Sequence, residues 1–114
     1  MIVEERIYRM KPGKAPEYIK GYAQEGLAIQ RPILGNLVGY YATEIGELNL
    51  VVHLWAYEDM ADRAARRARL SADPRWQAYL PKVSSFVEHQ QNRILNPAPF
   101  FEPMLRAMLA ANPA

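Results

Sequence analysis

The amino-acid sequence predicts an α+β fold in which strands and helices follow the order βαββαβ. Three observations predict it. Residues typical of strands are concentrated in four segments, which are 2–10, 37–45, 48–57 and 83–95. Apolar residues recur at helical spacing between the first and second segments and again between the third and fourth. The 114 residues, 50% hydrophobic and 23% charged, suit one globular domain.

A short turn separates the first strand from the first helix. Residues 2–10 mix β-forming and charged side chains, and the Lys-Pro-Gly that follows is typical of a turn, because proline fixes φ and glycine tolerates positive φ. The helical spacing runs from Lys14 to about Gln30, and the sequence RPILGN then predicts its end. Gly21 and Gly26 weaken this helix, so tertiary packing must support it.

The second and third strands form a predicted hairpin. Gly46-Glu47 lies between them and is typical of a two-residue loop. The register that follows places Tyr40 opposite His53 and Val38 opposite Trp55.

Side-chain alternation divides this hairpin into two faces. An aliphatic face, which we expect under the helices, comprises Tyr41, Ile45, Leu48, Leu50, Val52 and Leu54. The other face comprises Val38, Tyr40, Asn49, Val51, His53 and Trp55. This second face is too apolar for a solvated sheet, so we expect a second subunit to cover it and the protein to be a homodimer.

The helix predicted from Tyr57 to about Ser71 carries an arginine cluster. Its alanines recur at helical spacing and predict a narrow face against the sheet, formed by Ala61, Ala64, Ala65 and Ala68. Asp59 with Arg63, and Asp62 with Arg66, are acid-then-base pairs four residues apart, each worth about 0.2–0.5 kcal/mol. The arginines are therefore interpreted as a solvated, salt-bridged surface, with a phosphate or acidic-partner surface as the less favoured alternative.

Asp73-Pro74 predicts the start of a further short helix, because aspartate accepts hydrogen bonds from the first turn and proline suits the first helical position. That segment is expected to stop near Pro81. Residues 83–95 predict the last strand, and Phe86 and Val87 leave open which of its faces is buried.

Together these elements predict a ferredoxin-like arrangement, a four-stranded sheet with the helices on one face. Residues 1–98 form this domain. Residues 99–114 form a C-terminal tail with a short apolar helix that should dock on the rest of the chain.

Composition excludes several classes of function. The net charge of +2 and the absence of a basic tract do not favour nucleic-acid binding. Without cysteine there are no disulfides, no thiol catalysis and no cysteine-ligated metals. No apolar run approaches the roughly 20 residues of a membrane span, and no secretion signal is apparent, so a cytoplasmic protein without membrane contact is expected.

One candidate site follows from the register. His53 is the candidate catalytic residue, and Arg6, Tyr8, Tyr40 and Trp55 are candidate substrate-binding residues, because the first and third strands are adjacent in this fold. An imidazole among phenols and a guanidinium can hold a small carbonyl or aromatic compound and move a proton. The alternative is a histidine whose hydrogen bonds are satisfied within a dimer core. The two histidines have no metal-ligand spacing and no cofactor motif is present, so neither a metal nor a cofactor is expected.

The sequence resembles the NIPSNAP family. The residues that carry the resemblance are EERIYRMKPGKAPEYIKGY, VVHLWAYEDMADRAARRARLSADPRWQAYLPKV and NRILNPAPF, and they cover about residues 2–103. The most specific positions lie in the middle block: Trp55, Tyr57, Arg63, Arg67, Asp73 and Trp76.

The resemblance implies ferredoxin-like subunits paired in a dimeric α/β barrel, and it implies no particular reaction. Related dimeric barrels include cofactor-free monooxygenases, haem-degrading enzymes and small isomerases, which is an analogy of fold. Two functions therefore stay open. One is a homodimer that binds a small molecule, with proton-transfer or oxygenase chemistry in a pocket on the sheet face. The other is a non-catalytic dimeric protein-interaction module that uses the arginine surface and the tail at 99–111.

Overall fold

The computed structural model describes residues 1–114 and confirms the α+β, ferredoxin-like fold. The strands are Ile2–Met10 (β1), Leu37–Ala42 (β2), Leu50–Tyr57 (β3) and Val87–Leu95 (β4). They form one sheet in the order β2-β3-β1-β4, in which every neighbouring pair is antiparallel. Strands β1 and β3 therefore lie at the centre of the sheet, where the candidate site residues are expected to meet.

Two helices extend past the prolines at which they were predicted to end. The helices are Ala15–Gly21 (α1), Leu27–Leu34 (α2), Met60–Ala72 (α3), Pro74–Ser84 (α4) and Glu102–Ala111 (α5), and a π-helical turn at Tyr22–Gly26 joins α1 to α2. Pro32 lies inside α2, and Pro81 lies inside α4. Leu34 and Val83, which follow these prolines, are buried. Tertiary packing of the last turn therefore outweighs the one backbone hydrogen bond that each proline removes.

Gly26 shows why the first helix tolerates its glycines. A Cβ atom at this position would lie 2.7 Å from Cζ of Tyr79 and 2.8 Å from Cδ2 of Tyr22. The absence of a side chain lets α4 approach the π-helical turn closely. Close tertiary packing therefore accompanies the glycines in this helical segment.

The hairpin loop is longer than predicted. Residues 43–49 lie outside both strands, so the two-residue loop at Gly46-Glu47 is wrong. Asn49 has a φ of 63° and its Oδ1 accepts a hydrogen bond from Gly13 N at 3.2 Å, which interrupts the strand before Leu50. The predicted pair of Tyr40 with His53 is nevertheless confirmed.

A register shift near the start of β2 changes one predicted pair. Leu37, and not Val38, lies opposite Trp55, because the register shifts between Leu37 and Gly39. Val38 packs instead with Leu105 of α5, on the other side of the sheet.

The predicted faces of the hairpin are reversed. Val51, His53 and Trp55 are buried under the chain's own helices, where Trp55 packs with Leu34 and Leu70. The aliphatic residues Leu50, Val52 and Leu54, expected under the helices, are half-buried on the opposite face. Both faces of β3 are apolar, and the helices cover the one that carries the large rings. We call the opposite face the open face.

Helix α3 is also rotated relative to the prediction. All four alanines of the predicted sheet-facing stripe are exposed. The inward face comprises Arg63, Arg66, Arg67 and Leu70, which are half-buried or buried. The solvated arginine surface is therefore wrong for three of these arginines, and their long aliphatic stems fill the space between helix and sheet.

The predicted tail helix docks on the open face. Leu105 of α5 packs with Val3 and Ala56 at one end of the sheet. The Arg106 guanidinium makes two hydrogen bonds to Glu58, at 3.1 and 3.2 Å, which tie the helix to the end of β3. None of the helices combines the length and the apolar character needed to cross a bilayer.

Candidate functional site

The structure brings the five predicted site residues together on the helix side of the sheet. Arg6 of β1 is paired with His53 of β3, and Tyr40 of β2 lies on its other side. The Tyr40 ring stacks on the imidazole with centroids 4.8 Å apart, and the Tyr8 ring meets it edge-on at 4.9 Å. Trp55, two residues after His53 on β3, contacts the imidazole through its indole N–H. His53 is therefore enclosed and only 1% exposed.

The hydrogen bond from Trp55 determines which nitrogen of His53 carries the proton. Trp55 Nε1–H donates to His53 Nδ1 at 2.8 Å, so Nδ1 acts as the acceptor. Burial, together with the charges of Arg6 and Arg67, lowers the pKa of His53 to about 3. The imidazole is therefore neutral, with its proton on Nε2. This Nε2 is buried and has no hydrogen-bond partner in the protein.

A buried carboxylate, that of Glu4, lies two residues before Arg6 on β1 and on the same face of the sheet. Oε2 of Glu4 accepts from Arg63 Nε at 3.0 Å and Nη2 at 2.6 Å, from Arg6 Nη1 at 3.3 Å and from Asn92 Nδ2 at 2.8 Å. Burial would raise the pKa of Glu4, but the hydrogen bonds from Arg63 and Asn92 and the charge of Arg6 lower it overall. Glu4 is therefore an ionised carboxylate in the interior.

These groups form one polar cluster between the sheet and α3, which we define as Glu4, Arg6, His53, Arg63, Arg67 and Asn92. Several of its buried polar atoms have no partner, namely Glu4 Oε1, His53 Nε2 and Arg67 Nη1. Buried hydroxyls of Tyr40 and Tyr57 are likewise unpartnered. Since buried polar groups are nearly always hydrogen-bonded, this concentration marks the cluster as a candidate binding site.

The cluster approaches solvent along strand β4. Register places Gln90, Asn92 and Ile94 on the helix side of the sheet, and all three are exposed. The side chains of Arg6 and Arg63 are 15% and 21% exposed there. Because β4 is an exposed edge strand, the cluster is partly accessible from this side.

Sequence reasoning missed Glu4, Arg63, Arg67 and Asn92 as site residues. Arg63 was assigned to Asp59, but the Asp59 side chain accepts from Asp62 N at 2.7 Å and caps α3, so this predicted pair is wrong. The pair of Asp62 with Arg66 is confirmed at 2.9 Å. The sequence does contain a signal for Glu4. Glu4 lies two positions before Arg6 and four before Tyr8, so all three side chains lie on the same face of the strand.

Comparison with known proteins identifies the family. The NIPSNAP family model matches residues 3–102, which is most of the chain. The chain belongs to the NIPSNAP family. Human Protein NipSnap homolog 3B is 38% identical over 106 residues, and human Protein NipSnap homolog 3A is 32% identical over 93 residues. The alignments cover 87% and 80% of this chain but only 40% and 37% of those proteins, so this chain spans less than half of the length of either relative.

Solved structures of NIPSNAP proteins share the fold closely. A NIPSNAP family protein from Agrobacterium tumefaciens is 55% identical with a TM-score of 0.85, and the match covers 87% of this chain and 94% of that one. A NIPSNAP-like domain protein from Burkholderia xenovorans is 54% identical with a TM-score of 0.85, covering 87% and 86%. Both are therefore similar over nearly their whole length.

A more distant likeness concerns the fold alone. A putative antibiotic biosynthesis monooxygenase from Nitrosomonas europaea is 15% identical with a TM-score of 0.62, and the match covers 84% of this chain and 97% of that one. At this identity the likeness shows a shared ferredoxin-like architecture and no shared chemistry.

Proposed function

We propose that this NIPSNAP protein binds a small molecule at the polar cluster, between the sheet and α3. The observation that carries the proposal is the set of buried, unpartnered polar atoms around His53. A buried N–H without an acceptor costs about 1–3 kcal/mol, and such a cost is recovered when a ligand supplies the missing partner. The rings of Tyr8, Tyr40 and Trp55 surround the imidazole, so a ligand that reaches Nε2 meets an aromatic environment.

The geometry favours His53 as a hydrogen-bond donor and not as a base. Its Nδ1 is occupied by the Trp55 N–H, and its pKa of about 3 leaves it a weak acceptor of protons. A neutral imidazole that presents Nε2–H can polarise a carbonyl or stabilise developing negative charge on oxygen. Binding with polarisation of a substrate oxygen is therefore the proposed role, in place of proton abstraction by His53.

The alternative, a non-catalytic interaction module, has less support. It relied on the arginine surface, yet Arg63, Arg66 and Arg67 face inward. Nη1 of Arg66 donates to the Ile33 carbonyl at 3.2 Å and so helps to hold α2. The tail helix docks on the open face through Leu105, while Phe100, Met104 and Met108 stay exposed. The arginine surface is therefore the part of this alternative that lacks support.

Ligand binding is tested with the two tryptophans of the chain as internal probes. Their indole N–H groups give two resolved signals in a ¹H–¹⁵N correlation spectrum, of which Trp55 contacts His53 and Trp76 packs against Tyr79. We expect a mixture of small acidic, neutral and basic aromatic compounds to shift the Trp55 signal and leave the Trp76 signal in place. Assignment uses Trp76→Phe. If no compound moves the Trp55 signal, the proposed function is wrong.

We also propose that the protein is a homodimer, paired through the open face. Ile7, Val52 and Leu54 give this face an apolar centre, and Tyr41 beside them is 60% exposed. The NIPSNAP resemblance implies the same back-to-back pairing of sheets. This interface replaces the one expected from the sequence, since the chain's own helices cover Trp55 and its neighbours.

Light scattering after size exclusion should give twice the chain mass of 13.0 kDa. Val52→Lys should shift the protein to the monomer, because an unpaired charge in an interface core opposes association. Ile45→Lys is the matched control, since Ile45 lies in the 43–49 loop and is 92% exposed. A wild-type monomer at micromolar concentration would contradict the dimer.

A further inference from the structure

An apolar groove lies between α5 and the edge strand β2. Its volume of about 670 Å³ is within the range of pockets that bind small molecules. Eight of its eleven lining residues are hydrophobic. The strand and the helix contribute Leu37, Val38, Tyr41, Leu105, Met108 and Leu109. Tyr41 and Met108 are 60% and 50% exposed, so a ligand that covers them removes apolar surface from water.

Tyr41 lines this groove because its ring lies against a glycine. A Cβ atom at Gly39 would be 2.5 Å from Cε2 of the Tyr41 ring. The ring therefore lies back along β2, over the position that a side chain at Gly39 would fill. The groove owes this part of its shape to the absence of that side chain.

Arg31 of α2 is the only charged residue that lines the groove. Its Nη2 donates to the carbonyl oxygen of Asn112, which directly follows α5, at 3.0 Å. Its Nε is buried and has no hydrogen-bond partner. Arg31 takes part in none of the salt bridges of the chain. A positive charge without a counter-charge and with a free donor therefore lies in an otherwise apolar groove, which suits an apolar molecule that carries one anionic group.

We propose that this groove binds a fatty acid, with its carboxylate on Arg31 and its alkyl chain along the apolar residues of β2 and α5. One guanidinium balances the single charge of a carboxylate, whereas a phosphate monoester carries about −1.5 to −2 at pH 7. The two groups also match in shape, because a guanidinium can donate two parallel hydrogen bonds to a carboxylate. Aliphatic side chains, and the adaptable thioether of Met108, suit a flexible alkyl chain.

This site is separate from the polar cluster. Leu105 and Val38 pack together on the open face, whereas His53 and its neighbours lie on the helix side of the sheet. The fatty-acid site therefore goes beyond the proposed function, and either one can fail without the other.

Octanoate is the probe, and 1-octanol and butanoate are its comparison compounds. Octanol keeps the chain without the charge, and butanoate keeps the charge on a shorter chain. The five methionines give separate ¹³C-methyl signals, of which that of Met108 is assigned with Met108→Leu. We expect octanoate to shift the Met108 signal saturably and to leave that of Met104, which is exposed on the same helix but does not line the groove. Octanoate should bind about tenfold or more tightly than either comparison compound.

Arg31→Met tests the carboxylate contact, because methionine keeps an apolar stem and removes the charge. It should weaken octanoate binding about tenfold or more and leave octanol binding unchanged. Arg69→Met, at an exposed arginine of α3, is the matched control and should bind octanoate as the wild type does. Where Arg31→Met does not fold, the comparison of octanoate with octanol in the wild type decides.

Several results would overturn the inference. Octanol binding as tightly as octanoate would do so, and so would undiminished octanoate affinity in Arg31→Met. Butanoate or inorganic phosphate moving the Met108 signal as readily as octanoate would show a general anion site without a role for the apolar groove. If octanoate does not bind, and Met108→Lys converts a dimer into a monomer in light scattering, a second copy of the chain covers the groove instead.

Discussion

Replacing Glu4 with glutamine should destabilise the protein by about 3–5 kcal/mol, which is the usual effect of removing one partner from a buried ion pair. Glu4 is fully buried and is the carboxylate on which Arg6 and Arg63 converge. The substitution preserves shape but leaves the guanidinium charges inside without compensation. Urea unfolding monitored by tryptophan fluorescence measures the change, which is large against the roughly 5–15 kcal/mol of stability typical of a single domain.

Glu5→Gln is the matched control for this experiment. Glu5 is the next residue on β1, faces the other side of the sheet, and pairs with Arg93, whose side chain is 63% exposed. Surface ion pairs contribute about 0–1 kcal/mol, so this variant should lose little. Equal losses in Glu4→Gln and Glu5→Gln would show that the buried network does not hold the fold.

The order of elements was predictable because its signals are local. The Lys-Pro-Gly turn and the Asp73-Pro74 helix start each rest on the chemistry of a few adjacent residues, and the structure has both. The faces of β3 were not predictable in this way. Val51 and Val52 have the same side chain, and both faces carry apolar residues, so only the position of the helices distinguishes them. The tail helix covers part of the second face, which a pattern of alternation does not reveal.

The site was predicted in part for the same reason. Tyr40 and Arg6 were placed beside His53 by strand register, which follows from the topology. The pair of Glu4 with Arg63 joins residues 59 positions apart, whereas Asp59 offered a local partner four residues away. A local pair is the simpler interpretation of a sequence, but burial favours the distant one, because a carboxylate removed from water needs several donors.

Acidification should destabilise the protein strongly through His53. The pKa of His53 is lowered from 6.5 to about 3 by burial and by the charges of Arg6 and Arg67, against the opposing charge of Glu4. As the pH falls below 6.5, the unfolded chain takes up a proton on this histidine and the folded chain does not. Stability is therefore complete above pH 6.5 and declines toward pH 3. At about 1.4 kcal/mol per pKa unit, the loss is on the order of 2 kcal/mol at pH 5 and reaches about 5 kcal/mol near pH 3.

Unfolding free energies between pH 7 and pH 5 isolate this contribution from the carboxylates. Glu4 has a lowered pKa, so its own contribution is present above 4.5 and is lost only below that value. His53→Gln should flatten the decline between pH 7 and pH 5, because an amide can accept from Trp55 and donate as Nε2–H does without titrating. His89→Gln, on exposed β4, removes a histidine from the surface and is the matched control. An equal flattening in both variants would show that the buried imidazole is not the source of the decline. A wild-type protein as stable at pH 5 as at pH 7 would show that His53 titrates like a solvated histidine and is not enclosed.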